Sequence, residues 1–154
     1  MSAEDSNWLS LDSQLCFQLY ASSRAITRLY KPLLDPLGLT YPQYLAMLVL
    51  WEWERQAPPA PTVKALGERL RLDSGTLTPL LKRLEQLKFV ERRRGGGGDD
   101  RQVHLSLTGA GSELRARAEE IPRKLVCSTS MPASDIAALR DQLSMLLSNL
   151  GDGR

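Results

Sequence analysis

Two thiols, Cys16 and Cys127, are the side chains in this 154-residue sequence best suited to covalent chemistry. A cysteine thiolate attacks peroxide oxygens, binds soft metals or closes a disulfide. Two cysteines make no disulfide framework and cannot fill a four-ligand zinc site. The single histidine, His104, stands at no metal-ligand spacing from either, and as a lone strand residue it reads as solvated. No metal and no cofactor are expected. Two readings of the cysteines remain: small packing residues, a common fate of the free thiol, or a redox pair. Cys16 lies in LCFQLYASSRAITRLY, which ends at Tyr30, and Tyr41 follows in GLTYPQY.

The elements that position these residues follow from periodicity. From about Leu11 to Leu37, apolar residues at Leu15, Leu19, Ile26, Leu29, Leu33 and Leu37 recur at helical steps, with Ser22 filling one gap. Pro32 is expected to bend the last turns, and Pro36 and Gly38 punctuate the end. Thr40 and Gln43 form a capping box for a second helix, YLAMLVLWEWE, apolar on most sides and so central to the core. QAPPAP ends it. Thr62 caps a short helix ending near Leu70, and Asp73 or Ser74 caps another carrying Leu77, Leu80, Leu81, Leu84 and Leu87. Pro79 requires that helix to start late or bend. FVERRR and RQVHLSLT are short strands flanking GGGGDD, a hairpin tip. A further helix runs from Thr108 to Cys127, bent at Pro122. The last carries Ile136, Leu139, Leu143, Leu146, Leu147 and Leu150, and with the first helix it offers an apolar stripe for a dimer.

Helix, tight turn, helix and basic hairpin make a winged helix-turn-helix, so the fold class is mainly α (α+β) with N- and C-terminal dimerisation helices. Three regions are expected: 1–57, helices for dimerisation and core; 62–108, the DNA-binding region; and 109–150, closing dimerisation helices. Charge supports the middle assignment. The chain is +2 in total, whereas Lys64 to Arg101 holds ten Lys or Arg against six Asp or Glu. Ser74, Thr76 and Thr78 are placed to meet base edges or phosphates, and Lys82, Arg83, Arg92, Arg93, Arg94 and Arg101 to bind phosphates. The plain alternative is an ordinary solvated face. Asp99 and Arg101 stand two apart in an extended chain, where a pair would order the wing. GGGGDD is no phosphate loop, because no Gly-Lys-Ser or Gly-Lys-Thr follows.

With those residues in place, the chain resembles the multiple-antibiotic-resistance-regulator (MarR) family, and within it the organic hydroperoxide resistance regulators. LCFQLY, YKPLLDPLGLTYPQYLAMLVLWE and LDSGTLTPLLKRLE carry the resemblance, which spans nearly the whole chain. The long glycine run in the wing departs from the pattern. The resemblance implies that Cys16 is the reactive thiol, that Tyr30 and Tyr41 are its hydrogen-bond partners, and that Cys127 is the resolving cysteine of a two-cysteine subgroup. Geometry adds a condition. Fourteen residues of one helix separate Cys16 from Tyr30 by roughly 21 Å, far beyond hydrogen-bond reach, so the tyrosines must come from a second chain.

The expected protein is thus a homodimeric repressor, not an enzyme, which binds near-palindromic double-stranded operator DNA and releases it when an organic hydroperoxide oxidises Cys16. A repressor of the same fold controlled by a noncovalent aromatic ligand is the alternative, and a peroxidase a third. No segment reaches the length of an apolar membrane span, and no signal peptide opens the chain, so a cytoplasmic protein is expected.

Overall fold

The computed structural model describes residues 8–57, 60–95 and 101–151. After a short 3-10 turn at Leu11–Ser13, the elements are α1 (Leu15–Leu34), a second 3-10 turn (Asp35–Leu37), α2 (Tyr41–Gln56), α3 (Val63–Leu70), α4 (Ser74–Gln86), β1 (Val90–Arg94), β2 (Val103–Leu107), α5 (Gly109–Ala118), α6 (Ile121–Ser128) and α7 (Ala133–Leu150). The expected winged helix-turn-helix is present, mainly helical with one antiparallel hairpin. Two expected helices are shorter than the sequence suggests. The stretch from Leu11 to Leu37 is one α-helix with a 3-10 turn at each end, because Asp35-Pro36 tightens the chain and Gly38, at φ 71°, turns it left-handed. The stretch from Thr108 to Cys127 is two helices, parted at Glu119–Glu120, with Pro122 in the opening turn of α6 where its missing N–H costs nothing.

Capping residues set the remaining boundaries. The Thr40 amide donates to Gln43 Oε1 at 3.0 Å while Thr40 Oγ1 accepts from the Gln43 amide, so the capping box forms as expected. Thr62 Oγ1 accepts from the Ala65 amide at 3.1 Å, and Asp73 Oδ1 from the Thr76 amide at 2.7 Å. That bond, the largest influence on it, holds the Asp73 carboxyl below its ordinary range. The turn between α3 and α4 is tight. Arg71 is left-handed at φ 55°, the Leu72 amide donates to the Gly67 carbonyl, and a Cβ on Gly67 would sit 3.0 Å from the Leu72 carbonyl oxygen.

One core joins these elements. It runs from Leu34, Leu37 and Leu39 through Tyr44, Met47, Leu50 and Trp51 to Leu66 of α3, Leu77, Leu81 and Leu84 of α4, Val90 and Leu105 of the hairpin, and Leu114, Ala118 and Ile121 of α5 and α6. Trp51 Nε1 donates to the buried Gly111 carbonyl at 2.9 Å, tying α2 to α5. Pro61 and Thr62 lie along the free edge of β2: the Leu105 amide donates to the Pro61 carbonyl at 2.7 Å, and Thr62 bridges His104. His104 is therefore half-buried with a covered Nδ1 that has no partner, and not the solvated residue expected, because the entry to α3 lies over it. The two ends of the chain stay outside this core. α1 buries only Leu34 and α7 nothing, while Leu15, Met145 and Leu150 are 60%, 62% and 70% exposed.

Gly111 offers a direct check on this packing. A Cβ there would fall 2.1 Å from the Phe89 carbonyl oxygen, whereas one on Gly109 would meet nothing within 4 Å. Urea unfolding should show Gly111→Ala less stable by roughly 1 to 3 kcal/mol or more, and Gly109→Ala close to the parent.

Candidate functional site

The candidate DNA-facing surface is built on α4. Leu77, Leu80, Leu81 and Leu84 turn one face of this helix into the core, which leaves Ser74, Gly75, Thr76, Thr78, Pro79, Lys82 and Arg83 exposed on the other. Pro79 lies inside the helix, and on its solvent side the Thr78 hydroxyl donates to the Ser74 carbonyl at 2.8 Å. That bond uses the Thr78 proton and leaves its oxygen lone pairs outward. Lys82 and Arg83 keep the expected outward position.

The wing cations are less uniform than their sequence run suggests. In the hairpin, Arg92 stands opposite Leu105 and Arg93 opposite His104. Arg92 consequently turns toward α4, where its guanidinium meets Glu85 at 2.6 Å with both side chains about a third exposed. It braces wing to helix as well as carrying charge. Arg93 lies a loose 3.9 Å from Glu91, and Arg94 and Arg101 are exposed on either side of the tip. Residues 96–100 lie outside the described structure, so the expected pairing of Asp99 with Arg101 does too.

The second cluster is aromatic. Tyr30, on the last turns of α1, and Tyr41, first residue of α2, stack with ring centroids 4.6 Å apart and planes tilted by 37°. The structure brings these two expected residues together and adds one the sequence reading missed. Tyr44, 2% exposed, packs its ring 5.7 Å from that of Tyr30. Its signal was the spacing in TYPQY, since residues three apart on a helix share a face. Burial first, and then the neighbouring phenols Tyr41 and Tyr44, push the Tyr30 hydroxyl up to about 12; burial also raises Tyr41, and burial with Tyr41 raises Tyr44. All three stay protonated donors at neutral pH. Tyr30 and Tyr41 open onto a cleft of about 600 Å³ lined also by Arg24, Arg28 and Lys31.

Both cysteines are exposed. Cys16 is the second residue of α1, and Tyr30 is on the same helix. Fourteen residues of helical rise, roughly 21 Å, therefore separate them within one chain, as expected. Cys127 lies in the last turn of α6. No cluster of metal-ligating side chains occurs among the described residues, and no described helix is long and apolar enough to cross a membrane.

A helix-turn-helix with an exposed polar recognition face and a basic hairpin beside it defines a winged-helix transcriptional regulator. The family profile described as transcriptional regulator SarA/Rot matches residues 28–118. The chain is 49% identical over 142 residues, 92% of each chain, to an organic hydroperoxide resistance transcriptional regulator from Bacillus subtilis. Among solved structures it is similar to AbfR of Staphylococcus epidermidis. The reduced, DNA-bound form of that protein aligns with a TM-score of 0.72 at 36% identity, covering 91% of this chain and 94% of AbfR. Its disulfide form aligns with a TM-score of 0.60 at 38% identity, covering 88% and 91%. The chain belongs to the MarR-type winged-helix regulators, on their organic hydroperoxide resistance branch.

The tyrosine cluster predicts an alkaline signature. Its phenols ionise at about 10 in the unfolded chain, while Tyr30 in the folded chain stays neutral to about 12. Its contribution to stability is complete below pH 10 and is lost as pH rises toward 12. Denaturation midpoints measured across that window should fall, and fall less steeply in Tyr30→Phe.

Proposed function

We propose that this regulator is a homodimeric redox-sensing repressor: reduced, it holds a near-palindromic operator through two α4 helices, and organic hydroperoxide oxidation of Cys16 releases it. The observation that carries this reading is the placement of Cys16 and Tyr30 at opposite ends of one helix whose apolar face is uncovered. An antiparallel twofold pairing of α1 with its copy, closed by α7, covers that face. The same pairing sets the partner subunit's Tyr30 and Tyr41 against Cys16.

Chemistry follows from that arrangement. Two neutral phenols donate hydrogen bonds to the Cys16 sulfur and stabilise its negative charge. The thiolate attacks the distal peroxide oxygen, the O–O bond breaks, and an alcohol leaves with one proton while the sulfur becomes a sulfenic acid. The partner subunit's Cys127 then attacks that sulfur, forming a disulfide as the hydroxyl departs as water. Disulfide closure needs Cα atoms about 4.4 to 6.8 Å apart, so α1 and α6 of opposite subunits are drawn together. The spacing of the two α4 helices changes with them, and a duplex with half-sites one turn apart does not follow cheaply. One oxidation serves one release, which makes the protein a sensor and not a peroxidase, and its restoring reductant suits a cytoplasmic setting.

Cys16→Ser should leave operator binding near that of the parent and abolish release by organic hydroperoxide, read by fluorescence anisotropy of labelled operator. Release that persists would point instead to a noncovalent ligand, for which the cleft between α2 and α5–α6 lined by Tyr44, Trp51, Arg55 and Arg115 is the place to look. Oxidised protein on a non-reducing gel should run as a crosslinked dimer that vanishes in either cysteine variant. Lys82→Ala should weaken binding to all sequences and lower the salt slope by about one. An unchanged slope would remove Lys82 from the phosphate contacts.

A further inference from the structure

The first turns of α4 carry the two residues least suited to a helix, Gly75 and Pro79, four apart and so on one face, and both are exposed. The fold asks for neither. Gly67 and Gly111 lie against backbone that a Cβ would crowd, but a Cβ on Gly75 would meet only Asp73 Oδ1, at an ordinary 3.4 Å. Gly75 is not among the residues with positive φ, so no left-handed turn requires glycine there. Pro79 packs no core, since the buried face of α4 is Leu77, Leu80, Leu81 and Leu84.

Hydrogen bonding gives the pair a consequence. The Leu77 amide donates to the Asp73 carbonyl at 3.0 Å and the Thr76 amide to Asp73 Oδ1, so this end of the helix is capped. The Ser74 carbonyl accepts the Thr78 hydroxyl at 2.8 Å. For the Gly75 carbonyl the helical donor belongs to residue 79, four positions on. Proline has no N–H, and its ring crowds the carbonyl it cannot bond. In water that carbonyl is hydrated; against a duplex it is a fixed acceptor with no side chain of its own in front of it.

We propose that Gly75 and Pro79 together read sequence: the Gly75 carbonyl accepts a hydrogen bond from the exocyclic amino group of an adenine or cytosine in the major groove, and the missing Cβ lets the base edge approach. The inference rests on the reading of α4 as the helix that enters that groove. Adenine N6 and cytosine N4 are the donors on the major-groove edges, whereas guanine and thymine present acceptors, which a carbonyl repels. The contact discriminates by the direction of a hydrogen bond, while Lys82 and Arg83 supply charge that any sequence accepts. Pro79 is a positioning residue, acting through the donor it lacks to keep the acceptor open.

The test begins with the reduced full chain selecting duplexes from a random-sequence pool; the enriched duplex and a scrambled one of equal composition are then the anisotropy probes. Gly75→Ala should weaken binding to the selected duplex by about tenfold. Pro79→Ala, whose restored N–H occupies the acceptor, should weaken it by about fivefold. The scrambled duplex should be bound as before. Both variants should unfold at or above the parent's urea midpoint, because alanine is the better helix former at each position, so lost binding is not lost folding. At one adenine or cytosine of each half-site, deleting the amino group, with purine for adenine or zebularine for cytosine, should cost the parent the factor lost by Pro79→Ala and cost Pro79→Ala nothing further. Parent-like binding by Pro79→Ala, an equal loss on both duplexes, a lower urea midpoint, or no position at which deletion separates the two proteins overturns the proposal. A parent that enriches no duplex overturns the reading of α4 itself, and this inference with it.

Discussion

A continuous α-helix cannot fold back on itself, and α1 carries a thiol at its first turn and a phenol near its last. That rigidity governs the rest. Within one chain the sulfur of Cys16 is separated from the Tyr30 phenol by roughly 21 Å of helix, while Tyr30 and Tyr41 stack beside an open cleft. The proposed chemistry needs thiol and phenols together, so the helix turns a question of local chemistry into one of assembly. The exposed apolar residues of α1 and α7 are the physical means: surface that a single chain leaves in water supplies the driving force for bringing a second one.

Much of this was legible in the sequence because the decisive signals were local. The capping box at Thr40 and Gln43, the caps at Thr62 and Asp73, and the leucine spacing of α4 each depend on residues within one turn, and each appears as read. What the sequence hid was tertiary. His104 looked like a solvated strand residue because nothing local shows that Pro61 and Thr62 lie along β2. The break between α5 and α6 fell two residues before Pro122, since proline in an opening turn marks a start and not a bend. Tyr44 went unnoticed because its role lies in what its ring touches. Arg92 read as one of three equivalent arginines until the strand register aimed it at Glu85. The functional assignment of Cys16 came from family resemblance; the placement of thiol and phenol on one helix came from periodicity alone.

The aromatic cluster shows how burial serves function without any charged partner. Phenols are weak acids, and packing three rings together makes them weaker. A hydrogen-bond donor that cannot lose its proton over the working pH range is a constant feature of its surroundings. The variable part of the proposed switch is then confined to sulfur, whose oxidation state records exposure to peroxide, while the tyrosines provide an unchanging reference against which that alteration is felt.

The strand-like contact of Pro61 and Thr62 with β2 reaches beyond the burial of one histidine. It fastens the entry of α3 to the wing, just as Arg92 fastens the wing to α4, so three pieces of the reading head are joined at two points. A head clamped in this way resists internal flexing and is carried as a solid jaw. In the proposed dimer, two such jaws on a shared hinge would form a calliper whose opening sets which half-site spacing it can hold.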